Sequence, residues 1–252
     1  MTDNLPETSK VFLEGVSQEL CLAALTKSPG NELASGKLLS PESSAALAVN
    51  TFGWFLNRPH ELPVFPGLLD LDWPAVTVAL ERQMRFPWSA GRHPWLDAAV
   101  ETKKTLIGIE SKRFEPFRDA KSSNFSPAYD RDVWGTGMEP FTRMRDSLRA
   151  TQLFSYLDAA QLVKHAFGLV TEARRIGKRP VLLYLFAEPG ERMGRPLPDN
   201  ILSEHRAEIA RFSQHVSGAE VRFAASSYRQ WLDTWHGPTA HHRLALINRF
   251  AL

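Results

Sequence analysis

Cysteine is nearly missing from this chain: Cys21 stands alone among 252 residues. A single thiol cannot close a disulfide within the chain, which excludes a disulfide framework and suits a reducing compartment. Cys21 itself reads as a small apolar filler on an N-terminal helix. No apolar run reaches the roughly 18 residues that cross a bilayer. The N-terminus also lacks the basic stretch followed by an apolar core that marks a secretory leader. The expected location is therefore the cytoplasm, away from membranes. Two common catalytic signatures are absent as well: no Gly-x-x-x-x-Gly-Lys phosphate loop and no Gly-x-Ser-x-Gly nucleophile elbow. The histidines between Trp235-His236 and His241-His242 have no cysteine or carboxylate at zinc-ligand spacing, so they read as packing or surface residues.

A net charge of only +2 says little about partners, but its distribution says more. Residues 1–75 hold four Lys/Arg against nine Asp/Glu, whereas residues 141–180 hold eight against three. A basic stretch of that kind suits a polyanionic partner, with a solvated helix face as the plainer alternative. With 43% hydrophobic and 23% charged residues, the composition is that of a globular protein able to bury a substantial core. The expected organisation is an N-terminal helical segment over residues 1–40, packed on a single α/β domain over 41–252.

Local patterns predict a helix over Leu13–Leu25 and, after Ser40-Pro41-Glu42, a second over Ser43–Phe55. The proline-rich stretch Asn57–Pro74 reads as a loop lying over the body. Val76–Phe86 reads as a first strand, and Phe114–Pro140 as loop or short helix. Apolar spacing predicts one long helix over Arg149–Arg175. Val181–Phe186 is a continuous apolar run, as in a strand buried on both faces. A loop over Glu188–Asn200, a helix over Ile201–Val216, a strand over Val221–Ala225 and a closing helix over Tyr228–Trp235 complete the chain. This order is that of an α/β sandwich with a central mixed sheet flanked by helices.

One constellation carries chemistry. Read as a hairpin with its turn centred between Lys103 and Lys104, residues 94–117 set Asp97 directly across from Glu110. Opposed residues share a face with Cβ atoms about 5 Å apart, near enough for two carboxylates to hold one hard cation. Side chains alternate along a strand, so Lys112 joins Glu110, while Ala98, Val100, Ile107 and Ile109 collect on the opposite, core-facing side. Gly108 falls beside Glu110 and leaves room for a ligand or a close-packed helix. The apolar run Leu106-Ile107-Gly108-Ile109 leads straight into Glu110, and ionised groups at the end of a buried strand are unusual unless paired, metal-bound or functional. The plain alternative is the solvated face of a half-buried hairpin.

Asp97, Glu110 and Lys112 resemble the motif of the PD-(D/E)xK nuclease superfamily, with Leu96 where the motif's literal form has proline. The wider stretch, Leu80-Glu81-Arg82-Gln83 through Gly91-Arg92-His93-Pro94, Leu96-Asp97 and Gly108-Ile109-Glu110-Ser111-Lys112, is similar to a bacterial branch of that superfamily. The resemblance extends from about Ser43 to about Glu188. It implies a restriction-endonuclease-like three-layer sandwich and Mg²⁺-dependent hydrolysis of DNA phosphodiesters, with Mn²⁺ able to substitute. Asp97 and Glu110, with the Ser111 carbonyl, would hold the metal. The metal would polarise the scissile phosphate and lower the pKa of a water, and Lys112 would orient or activate that water. Gln161, with Lys164 and His165 on the same helical flank, matches a helix position that lies near metal or backbone in some branches. Glu42 and Glu81 are weaker candidates for a supporting acidic residue. The expected partner is nucleic acid, duplex DNA above all, lying along Arg149–Arg175 and Phe114–Pro140, with a homodimer or a specificity partner as further possibilities. The alternative reading is a catalytically silent nuclease fold that binds nucleic acid or protein. A glycosidase fits less well, because its carboxylates stand about 5–9.5 Å apart and Lys112 would have no role.

Overall fold

The structure is a computed structural model that describes residues 9–30, 32–89 and 91–252. Its centre is a five-stranded mixed sheet of β1 (Thr77–Gln83), β2 (Trp95–Glu101), β3 (Thr105–Lys112), β4 (Arg179–Phe186) and, last in chain order, β7 (Arg222–Ser227). The spatial order is β1-β2-β3-β4-β7. β1, β2 and β3 form an antiparallel meander, whereas β4 and β7 run parallel to β3. The β2–β3 register pairs Ala98 with Ile109 and Val100 with Ile107, as the hairpin reading requires. Asp72 helps to fix this turn, accepting the Lys104 N–H at 2.6 Å and the Thr102 and Thr105 hydroxyls at 2.9 Å.

Helices cover both faces. One side carries α1 (Gln18–Lys27), α2 (Ser44–Gly53), α7 (Tyr228–Leu232) and α8 (Ala240–Phe250), with Leu47, Phe52, Trp231 and Leu246 packed on Ile107, Ile109 and Leu183. The other side carries α4 (Glu139–Ala150), α5 (Ala159–Arg175) and α6 (Asp199–His215), with Met144, Leu169 and Phe212 packed toward Leu106, Leu182 and Tyr184. The result is the three-layer α/β architecture of a restriction-endonuclease-like fold. β4 is buried on both faces, which is why its sequence is continuously apolar. Cys21 and Leu25 of the N-terminal segment belong to the first core, and residues 1–8 lie outside the described residues.

Several boundaries differ from the sequence reading. The first helix starts at Gln18 rather than near Leu13, because Gly15 adopts φ +79° and turns the chain before it. The stretch Arg149–Arg175 is not one helix. Thr151 is extended, and α5 begins afresh where the Asp158 carboxylate caps the Gln161 N–H at 2.9 Å. The break is held from outside: Glu208 on α6 accepts the N–H groups of Ser155, Tyr156 and Leu157 at 2.7–2.9 Å. Within Phe114–Pro140 there is one short helix, α3 (Glu115–Arg118), and two 3-10 turns. The loop after β4 folds into a small hairpin of β5 (Glu191–Arg192) and β6 (Arg195–Pro196). α7 ends at Leu232, and α8 after it has no counterpart in the sequence reading. The loop before β1 does lie over the body, burying Phe65 with its ring centroid 4.5 Å from that of Trp231.

Candidate active site

The β-ladder places three carboxylates in a row across three strands. Asp97 on β2 is next in register after Ala98↔Ile109, opposite Glu110 on β3. On its other side, pairing with β1 runs Leu80↔Ala98 and then Arg82↔Leu96, so that Glu81 stands across from Asp97 without joining the ladder. Glu81 adopts φ +48°, a left-handed conformation that costs a non-glycine residue about 1 kcal/mol or more and collects at functional sites.

Glu110 is only 2% exposed, and Lys112 and His165 stand against its two oxygens. Oε1 is ion-paired to Lys112, and Oε2 lies 2.9 Å from His165 Nε2 on α5. Burial works against the ionised form, but Lys112 and His165 outweigh it and hold the carboxyl down at about 2. Burial likewise opposes the Lys112 ammonium, and Glu110 and Asp97 together keep it charged, with a pKa above the usual lysine range. Asp97 is in the reverse situation. One of its oxygens accepts the Ser111 N–H at 2.6 Å, and it forms no ion pair among the described residues. Burial and then the Glu110 charge push its pKa well above the usual aspartate range. Burial, and to a smaller degree Glu110, raises Glu81 to about 7, against a hydrogen bond from Ser28.

The face carrying Glu110 is itself a packed interface, not the solvated side of a hairpin. Gly108 makes this possible: a Cβ there would overlap Leu96 Cδ1 and come within 3.2 Å of Leu169 on α5. Of the two roles read for Gly108, the structure shows the close-packed helix. On the other face, the Ser111 hydroxyl and the Tyr228 hydroxyl lie 2.6 Å apart in the core.

Gln161 and Lys164 line an open cleft of about 830 Å³ together with Glu81 and His165. They do not form an exposed flank: His165 is buried against Glu110, and Lys164 Nζ lies 5.2 Å from the Phe125 ring centroid, with burial lowering its pKa. Glu42 is not brought to this group. It precedes α2, and its carboxylate pairs with Arg118 at 3.0 Å and Arg192 at 2.8 Å. The contact between His165 and Glu110 was not legible in the sequence, where His165 was only one of three polar residues at helical spacing. His242, from the histidine-rich end, is a packing residue: it is buried, with Nε2 2.9 Å from the Asn50 carbonyl.

Among the described residues, no group of three or more His, Cys, Asp or Glu side chains is arranged to hold a metal ion. The donor set implied by the motif is different: two carboxylates and one main-chain carbonyl, all hard oxygens. The N–H and C=O of a strand residue point to the same side. The Ser111 carbonyl therefore faces β2 with its N–H, where the ladder has ended and Asp97 stands. These donors fit a small divalent cation, and the cation-poor Asp97 is the group that such an ion would neutralise.

Residues 30–251 match the family described as Restriction Endonuclease associating with ARP. The chain belongs to that family. This places it in a restriction-endonuclease-like family, and the match continues well past Glu188, through β7 to the end of α8. No curated protein and no solved structure gives a significant match. No helix of the described residues is long and apolar enough to cross a membrane.

Proposed function

We propose that this member of the family is a PD-(D/E)xK-type, Mg²⁺-dependent deoxyribonuclease. Asp97, Glu110 and the Ser111 carbonyl hold the metal. The observation that carries the reading is the cross-strand placement of Asp97 opposite Glu110, with Lys112 ion-paired two residues on. A divalent cation there would supply Lewis acidity toward the scissile phosphate and acidify a water. The chain's own residues do the rest. Lys112, kept charged by the two carboxylates, orients the attacking water and offsets charge building on the phosphorus. His165 and Lys112 fix the Glu110 carboxylate in one orientation. Glu81, lining the cleft and facing Asp97, is a supporting acidic residue, and Gln161 and Lys164 meet the nucleic-acid backbone along the same cleft. Glu42 has no part in this arrangement.

The family's description names association with ARP, so we extend the proposal to a partner that acts with this chain. The second reading, a silent fold that only binds, is favoured by one observation: the Glu110 oxygens are already engaged and nearly sealed from solvent. Incubating purified protein with labelled duplex and single-stranded DNA separates the two. The nuclease reading expects cleavage with Mg²⁺ or Mn²⁺ that stops on chelation and in Asp97→Asn. Binding with no cleavage under any metal and with the partner present would establish the silent reading.

A further inference from the structure

Beside the cleft that contains Glu81 and His165 lies a second pocket, of about 690 Å³, within the size range of small-ligand sites. The two share Gly91, Arg92, Tyr129 and Lys164, so they form one continuous groove. The second pocket has aromatic walls from Phe86, Trp88 and Tyr129 and a rim of three cations, Arg92, Arg131 and Lys164. No Asp or Glu lines it among the described residues. The aromatic walls are held stiffly. The Trp88 ring lies 4.9 Å from Phe86 and 5.6 Å from Trp134, and Trp134 is itself buried and stacked on Phe167 at 4.3 Å. The exposed Arg131 guanidinium lies over the Trp88 ring, 4.3 Å from its centroid, so this face already takes a planar cation from the solvent side that an incoming base would displace.

Aromatic walls with a carboxylate-free cationic rim match the chemistry of a nucleotide: a flat base to stack and a phosphate to neutralise. A base inside a duplex keeps both faces stacked and cannot enter such a pocket without leaving the helix. We infer that the groove binds an unpaired nucleotide next to the scissile phosphate, its base against Trp88 and Tyr129 and its phosphate between Arg92 and Lys164. The substrate class is therefore DNA with single-stranded or frayed character. This inference rests on the nuclease reading and narrows it. Stacking tolerates any base, so it selects for strand state rather than for sequence.

The test is anisotropy binding of a labelled 12-nucleotide single strand and of the blunt duplex of the same sequence, with Ca²⁺ in place of Mg²⁺. A series of the single strand with one abasic site moved along it is measured on the wild-type protein. The inference expects the single strand to bind about ten-fold tighter than the duplex, and one abasic position to weaken it by about ten-fold. Trp88→Ala should weaken the intact strand by a similar factor and leave the strand abasic at that position unchanged. A flat abasic series, or a duplex bound as tightly as the single strand, overturns the inference, and cleavage of either substrate once Mg²⁺ is restored leaves the nuclease reading standing. Failure to bind or cleave either substrate overturns both. The abasic series uses unaltered protein, so it decides the matter even if Trp88→Ala does not fold.

Discussion

Replacing Lys112 with methionine keeps the aliphatic stem and removes the one ammonium paired to a carboxylate that is 2% exposed. In the native protein Lys112 and His165 together hold Glu110 at about 2 instead of an ordinary 4.5, a shift on the order of 3 kcal/mol favouring the folded state at neutral pH to which both contribute. That figure agrees with the about 3–5 kcal/mol lost when one member of a buried ion pair is removed. The sign over pH follows from the depressed pKa. The stabilisation is complete above about pH 4.5 and fades as the pH falls toward about 2, where Glu110 is protonated in both folded and unfolded states. Urea unfolding of wild type and Lys112→Met, read by circular dichroism from pH 7 down to pH 3, should show a gap of about 3 kcal/mol at pH 7 that narrows as the pH falls, first as the stranded Glu110 of the variant takes up a proton and then, below about pH 4.5, as the wild type loses its own stabilisation. Glu110→Gln combined with Lys112→Met should recover most of the loss, since the stranded charge is gone. A gap under about 0.5 kcal/mol at pH 7, or one that does not change with pH, would refute the buried-pair account.

Asp97→Asn should abolish metal-dependent cleavage yet leave the metal-free protein at least as stable, because burial and Glu110 already oppose the charge; a lower melting temperature would contradict this. Glu81, raised to about 7 by burial, disfavours folding increasingly as it ionises above the unfolded value near 4.3, so Glu81→Gln should gain stability over wild type at pH 8 and show no gain at pH 4 in urea titrations. Gly108→Ala should cost about 1–3 kcal/mol in the same assay, since the new methyl meets Leu96 and Leu169. Lys164→Ala should weaken DNA binding in Ca²⁺ and reduce the slope of log K against log salt by about one; an unchanged slope removes Lys164 from the phosphate contacts.

The hairpin register was legible because its determinants are local: the turn at Lys103–Lys104 and the alternation of Ala98, Val100, Ile107 and Ile109 fix it together. What lies over the Glu110 face was not, since alternation marks one apolar face and cannot show that Gly108 admits α5 against the other. The break between α4 and α5 was equally hidden. Residues 149–175 keep helical apolar spacing, and the acceptor that holds the break open is Glu208, about fifty residues later in the chain. Glu42 was hidden by distance in the same way. It stands where a first-helix acid would be expected, but Arg118 at the end of α3 and Arg192 on β5 take its carboxylate. His165 could have been singled out as a polar residue among Leu162, Val163, Ala166 and Phe167, all buried on α5, though nothing in the sequence named its partner.

The central claim is that Asp97, Glu110 and the Ser111 carbonyl hold a divalent cation. An anomalous difference map from a crystal soaked in Mn²⁺ tests it directly. A peak bonded to Asp97 and Glu110, lost in Asp97→Asn crystals, is the predicted result. Mn²⁺-supported cleavage in solution with no anomalous density between these two carboxylates would contradict it.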